Sequence, residues 1–136
     1  DNSDAGDAPE IMRLLDDADG IILGTPNYHG TFSSPLKTVL DYAGSDQFEG
    51  KPVGLLAVAG GSFPREALSH LRISLVKVDA DVLNKQAAIP SVYGQFDDDP
   101  DAPFEGKSFA DDDLRERVEE VATRVVEAAR ARRVPA

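Results

Sequence analysis

The chain predicts an α/β fold, a parallel sheet covered by helices on both faces. Pro52-Val53-Gly54-Leu55-Leu56-Ala57-Val58-Ala59 is a nearly continuous apolar run, the pattern of a strand buried on both faces of a parallel sheet. Gly20-Ile21-Ile22-Leu23-Gly24-Thr25 is a shorter run of the same kind. Segments with apolar residues at helical spacing alternate with these runs, and such alternation builds βαβ units.

Asp7-Ala8-Pro9-Glu10 reads as a helix start. Proline sits in the first turn and acid at the positive end of the dipole. Ile11, Leu14, Leu15 and Ala18 follow at i, i+3, i+4 and i+7. After the strand at 20–25, Ser34 reads as a helix cap with Pro35 at N1, and Leu36, Val39, Leu40 and Ala43 form the apolar stripe. The strand at 52–59 ends in Gly60-Gly61-Ser62. Pro64 then opens a helix carrying Leu68, Leu71, Leu75 and Val78. A short strand is expected within Asp81 to Ile89, and an acidic, proline-containing loop over 96–113. Leu114, Val118, Val121, Val125 and Ala128 mark a long last helix ending in Arg130, Arg132 and Arg133, which suit its negative end. The order α-β-α-β-α-β-α reads as one domain over 1–136, with no repeat.

Composition narrows the function classes. A net charge of −11 argues against nucleic acid and anionic membrane surfaces as partners. The absence of cysteine excludes disulfides, cysteine-ligated metals and a thiol nucleophile. No run of apolar residues is long enough for a membrane span, and no signal peptide is visible, so a cytoplasmic location is expected. Asp outnumbers Glu by 17 to 8, and Lys occurs 5 times against 9 Arg. That bias fits a halophile's cytosol, where salt screens the self-repulsion of a strongly acidic surface.

The most informative segment is Gly24-Thr25-Pro26-Asn27-Tyr28-His29-Gly30. It links an apolar strand to a helix, the position where open α/β sheets bind ligands. Pro26 fixes one φ angle, Gly30 permits positive φ, and Tyr28 supplies a flat face. A planar aromatic ligand held partly by backbone groups suits this set; an ordinary βα loop with an exposed tyrosine is the plainer alternative.

Thr25-Pro26-Asn27-Tyr28-His29-Gly30, followed by Ser34-Pro35-Leu36-Lys37 and Leu40-Asp41, resembles the NADPH-dependent FMN reductase family. Gly50-Lys51-Pro52-Val53, Gly60-Gly61 and Leu71-Arg72 extend the similarity over roughly residues 10 to 95. The resemblance implies a flavodoxin-like, doubly wound, three-layer αβα fold with strand order 2-1-3-4-5. It implies FMN as cofactor and NAD(P)H as co-substrate. Thr25, Pro26, Asn27, Tyr28, His29, Gly30 and Thr31 would hold the isoalloxazine ring, joined by the backbone of Gly60, Gly61 and Ser62. The three strands read here match the third, fourth and fifth of that fold. The first two strands have no counterpart in residues 1–10, so the chain is expected to be incomplete at its N-terminus. The absent part would include the FMN phosphate loop. Weak FMN binding and self-association, as a homo-oligomer, are the expected consequences.

Other motifs carry less. Gly60-Gly61-Ser62-Phe63-Pro64 resembles a G-x-S-x-G nucleophile elbow, but Pro64 replaces the last glycine and partners for a triad are thin. Asp97, Asp99 and Asp101 have the spacing of a calcium loop, yet Ala102 and Ser108 stand at its glycine and glutamate positions. His29 and His70 have no metal-ligand spacing, and no metal site is expected. His29 is a candidate to touch the flavin, and Arg65 and Arg72 to meet the 2′-phosphate of NADPH.

The expected activity is ping-pong hydride transfer from NAD(P)H through FMN to a small acceptor such as a quinone or free flavin, with no protein acid or base. A flavodoxin-type electron carrier and a flavin-free degenerate domain are the alternatives. The acidic bias predicts that the melting temperature rises between dilute buffer and molar KCl. A flat or falling profile in thermal denaturation by circular dichroism would rule out the halophilic reading.

Overall fold

The computed structural model describes residues 6–103 and 105–133; the polar tail at 1–5, with Asp1 and Asp4, lies outside the described residues. The elements in order are α1 (Ala8–Asp17), β1 (Ile21–Pro26), α2 (Ser34–Tyr42), α3 (Ser45–Phe48), β2 (Pro52–Val58), α4 (Arg65–Val76), β3 (Asp81–Ile89), a 3₁₀ turn (Val92–Gly94), β4 (Phe96–Asp98), β5 (Lys107–Phe109) and α5 (Asp112–Arg133). β1, β2 and β3 form a parallel sheet in that order. Pro26 pairs with Val58, and Val58 with Ile89, so all three strands finish level at one rim.

β2 is central, and its alternate residues serve two layers. Val53, Leu55 and Ala57 are buried in a core with Leu68, Leu71 and Leu75 of α4, Phe48 of α3 and Ile21 of β1. The opposite face meets α5. A Cβ on Gly54 would lie 2.7 Å from Val125 Cγ2 and 2.8 Å from Val121 Cγ1. The helix therefore rests on the bare backbone of β2. Gly20 performs the same service at the start of β1, where a Cβ would lie 2.8 Å from Val125 Cγ1. This is the physical basis of the flavodoxin-like layering, helices on both faces of a parallel sheet.

Some expectations need correction. Ser33, not Ser34, occupies the N-cap of α2, and its side chain makes no capping bond. Val78 lies beyond α4. Leu15 and Ala18 of α1 pack against the core, whereas Leu14 is 53% exposed. Ile11 and Met12 turn instead toward Pro35, Val39 and Tyr42 of α2, lining a groove between the two helices. The acidic segment at 96–113 is not wholly a loop. Phe96–Asp98 and Lys107–Phe109 pair antiparallel, pinned by the Phe96–Phe109 ring contact at 4.9 Å and by a Lys107–Asp98 ion pair. Strands this short are set by those cross-strand pairs rather than by any apolar run.

The two edges of the sheet differ. The outer edge of β1 has no strand partner among the described residues. β3 is guarded. Its register slips, so that the step from Val53 to Leu55 on β2 is matched by the step from Val82 to Gln86 on β3. The bulge turns carbonyls outward, and Arg72 collects them, donating to Val82 O at 3.3 Å, Leu83 O at 2.8 Å and Gln86 Oε1 at 2.9 Å. Arg117 Nε donates to Gln86 O at 2.8 Å. Arginines placed in this way block further strand pairing. Arg72 is thus a structural residue, and its guanidinium is already committed rather than waiting for the 2′-phosphate considered above.

Lys85 on β3 ties to Glu120 on α5 at 2.6 Å. The hydrogen bond from Lys85, and then that from Arg124, hold the Glu120 carboxyl below its ordinary value. A depressed carboxylate stabilises the fold above its unfolded value, and that contribution is lost as pH falls through the folded one. The NMR titration midpoint of Glu120 should therefore lie below the ordinary glutamate range and move up in Lys85→Met; an unmoved midpoint would break the link. Gly54→Ala should destabilise the fold by about 1–3 kcal/mol through overpacking against α5. Combination with Val125→Ala should recover part of that loss in urea denaturation, because the two sites touch.

Candidate functional site

Level strand ends bring three loops to one rim, residues 27–33 after β1, 59–64 after β2 and 90–95 after β3. The carboxyl ends of parallel strands are where open α/β sheets bind ligands.

The first loop is shaped by its own backbone. Tyr28 and Thr31 exchange hydrogen bonds, Tyr28 N to Thr31 O at 2.9 Å and Thr31 N to Tyr28 O at 3.2 Å. Between them His29 and Gly30 have φ of 53° and 82°, the signature of a tight type I′ turn. Glycine fits the second position without strain. The turn projects Tyr28, 60% exposed. Behind it, Thr25 is buried, and its hydroxyl donates to Pro26 O at 2.8 Å and accepts from Ser33 N at 3.0 Å. Thr25 braces the loop from both ends, and its hydroxyl proton is spent within the loop. Asn27 N donates to Val58 O at 2.7 Å, tying this loop to β2. Asn27 Oδ1 is buried with no partner. Thr31 Oγ1 lies 3.0 Å from His70 Nδ1, so α4 steadies the far side of the turn.

The second loop supplies donors. The N–H groups of Gly60, Gly61 and Ser62 have no acceptor among the described residues. A Cβ on Gly61 would meet nothing within 4 Å, so this stretch of backbone lies open to the rim. The third loop grips the second from behind. Ser91 N donates to Gly61 O at 2.8 Å and Val92 N to Ala59 O at 2.9 Å. Ser91 adopts a left-handed φ of 48° to do so. This arrangement lays Tyr93 against Gly60, whose hypothetical Cβ would be 3.3 Å from Tyr93 Cε2. Tyr93 is 92% exposed.

The structure therefore collects Pro26, Asn27, Tyr28, His29, Gly30, Thr31, Gly60, Gly61 and Ser62 at one rim, with Thr25 beneath them. Sequence reasoning did not find Tyr93 or the bracing role of His70. Both depend on chain segments that meet only in the fold. Among the described residues no hydrogen bond joins Ser62 to His70, whose Nδ1 faces Thr31. Asp97 and Asp98 lie in β4, and Asp98 pairs with Lys107. Asp99 Oδ1 accepts from Asp101 N at 3.1 Å. Among the described residues no group of three or more His, Cys, Asp or Glu converges as a metal site would require. No helix among them is long and apolar enough to cross a membrane.

The profile of the NADPH-dependent FMN reductase family matches residues 1–94. This chain belongs to that family. An FMN-dependent NADPH-azoreductase of Staphylococcus aureus is 55% identical over 56 residues, a match taking in 41% of this chain and 30% of the azoreductase. An oxidoreductase structure from Corynebacterium diphtheriae superposes with a TM-score of 0.70 at 22% identity, over 91% of this chain and 62% of that one. An apo NADH:FMN oxidoreductase gives 0.65 at 18% identity, over 96% of this chain and 62% of that one. A flavodoxin-type, WrbA-like protein of Agrobacterium tumefaciens gives 0.57 at 21% identity, over 88% of this chain and 71% of that one. At such identities the structures speak for the shared flavodoxin-like fold alone. The family member at hand thus spans well under two thirds of the azoreductase it matches.

Thr25→Val tests the brace in the first loop. Loss of the hydroxyl leaves the buried Ser33 N–H unpaired, and stability should fall by about 1–3 kcal/mol in urea denaturation. Amide exchange at Tyr28 and Thr31 should quicken. Unchanged exchange there would show that the turn does not depend on Thr25.

Proposed function

We propose that this protein is an FMN-dependent NAD(P)H oxidoreductase whose ring site is the rim between the first two loops. One observation carries the reading. Three successive N–H groups without acceptors among the described residues, at Gly60, Gly61 and Ser62, stand at the same rim as the Tyr28 turn. Membership of the FMN reductase family supports the choice of cofactor.

The residues present suit a flavin ring. Tyr28 offers an exposed aromatic face on a turn that fixes its backbone. The open N–H groups are donors for a carbonyl edge and would stabilise negative charge developing there. Asn27 Oδ1, buried without a partner, is an acceptor that a ring N–H would satisfy after rotation of the side chain. FMN, when bound, takes a hydride from NAD(P)H and delivers two electrons to an acceptor. The chain's part is to hold the ring, to exclude water from its buried edge and to set the charge around it. Hydride chemistry of this type asks for no acid or base from the protein. Exposed Leu14, Ile22 and Tyr42, and a β1 edge without a strand partner among the described residues, support self-association of the chain.

Titration of the protein with riboflavin and with FMN, read by flavin fluorescence, tests the ring site with and without a phosphate. Both should bind, and Tyr28→Ala should weaken both by about 1–3 kcal/mol if the tyrosine stacks. Equal affinity in the variant would remove Tyr28 from the site, and no response to either flavin would overturn the assignment. NADPH should then bleach the absorbance of the bound flavin in stopped flow. A flavin that binds but is not reduced would point to an electron carrier instead.

A further inference from the structure

A groove of about 560 Å³ runs along the edge of β3, where the far ends of the second and third rim loops meet α4 and α5. It passes between the start of α4 (Phe63, Arg65, Leu68) and the start of α5 (Asp111, Asp113, Leu114, Arg117), and Gln86, Ala88, Pro90 and Gln95 complete it. We propose that this groove binds an aromatic monoanion, a planar ring carrying one carboxylate or sulfonate.

The argument starts from how the chain spends its arginines. With a net charge of −11, carboxylates are plentiful; Arg13 and Arg115 each pair with two, and Arg124 and Arg133 with one. Arg65 and Arg117, like Arg72, Arg130 and Arg132, pair with none among the described residues, but these two line one groove, and it also contains two aspartates. Arg117 spends only Nε, on Gln86 O, which leaves its outer N–H fork open. Arg65 lies over the Phe63 ring at 5.6 Å, and its hydrogen-bonding groups are unspent. A guanidinium fork is shaped for a carboxylate or sulfonate.

The rest of the lining selects the body of the ligand. Phe63 is 53% exposed and presents a ring for stacking. Leu68, Ala88 and Leu114 supply apolar wall. Gln95 Nε2 is bonded to Pro90 O at 2.9 Å, leaving its carbonyl oxygen as an acceptor. Asp111 Oδ1 accepts from Leu114 N at 3.0 Å, capping α5. Asp113 balances the second arginine, so the groove is neutral by count. A neutral groove on an acidic protein tolerates one negative charge and repels several, which favours a monoanion over a nucleotide phosphate. Phe63 follows Ser62 directly, so the groove abuts the proposed ring site. Its role in anchoring the electron acceptor rests on the proposed function; the binding itself does not.

The test is calorimetric titration of the full chain, without flavin, using naphthalene-2-sulfonate, the neutral naphthalene-2-methanol and NADPH. The sulfonate should bind at least about tenfold tighter than the alcohol, and Arg65→Ala and Arg117→Ala should each weaken it on the order of tenfold. Asp113→Asn should tighten it by a few-fold, a gain that a folding defect does not produce; circular dichroism checks all three variants. No sulfonate binding, equal affinity for the alcohol, or indifference to both arginine changes would overturn the proposal. Tighter binding of NADPH with the same arginine dependence would overturn the monoanion class. If the sulfonate binds while riboflavin and FMN do not, the groove stands and the flavin site falls; the reverse result separates them the other way.

Discussion

The constraint on which the structure depends is that β2 is paired on both sides and packed on both faces. A strand so placed has little solvated surface, with Leu56 and Val58 half-buried and the rest buried, so its residues are apolar throughout. Val53, Leu55 and Ala57 fill the α4 side, and Gly54 lets Val121 and Val125 of α5 come down onto the backbone. Because both neighbours run parallel to it and end level with it, their following loops have one rim on which to emerge. The Tyr28 turn and the open N–H groups of Gly60, Gly61 and Ser62 are neighbours for that reason alone.

The loops at the rim are steadied from outside themselves. Thr25 secures the first from below, and His70 reaches it from α4. Ser91 and Val92 hold the second through its carbonyls. The carbonyls of Ala59 and Gly61 are thus committed while the N–H groups of Gly60, Gly61 and Ser62 have no acceptor among the described residues, which makes this stretch a donor surface. Fixed donors of this kind need little reorganisation when a polar ring edge arrives.

Charge is distributed with similar economy. Arg13, Arg115 and Arg124 pair with carboxylates a turn away, contacts that are exposed and contribute little to stability. The two that touch the edge of β3 instead bind its carbonyls. Arg72 is absorbed by the bulge, whereas Arg117 keeps its outer fork and, with Arg65, gives the flank groove its character. Residue type alone does not separate these roles; the partner within reach does.

The sequence by itself determined the α/β class, the helices α1, α2, α4 and α5 to within a residue or two, the three parallel strands and the loop Thr25–Thr31. Those features rest on local periodicity, on proline and glycine positions and on a short motif, all of which act over a few residues. The β4–β5 pair was not legible, because it is fixed by a Phe96–Phe109 contact and a Lys107–Asp98 pair across a loop. The stripe of α1 was legible, but not that Leu14 would remain exposed, since coverage depends on what packs nearby. The placement of Tyr93 against Gly60, the commitment of Arg72 to the β3 bulge and the open state of Arg65 were decided only by the tertiary structure. Each is a contact between segments distant in the chain, and a sequence states which groups are available without stating which will meet.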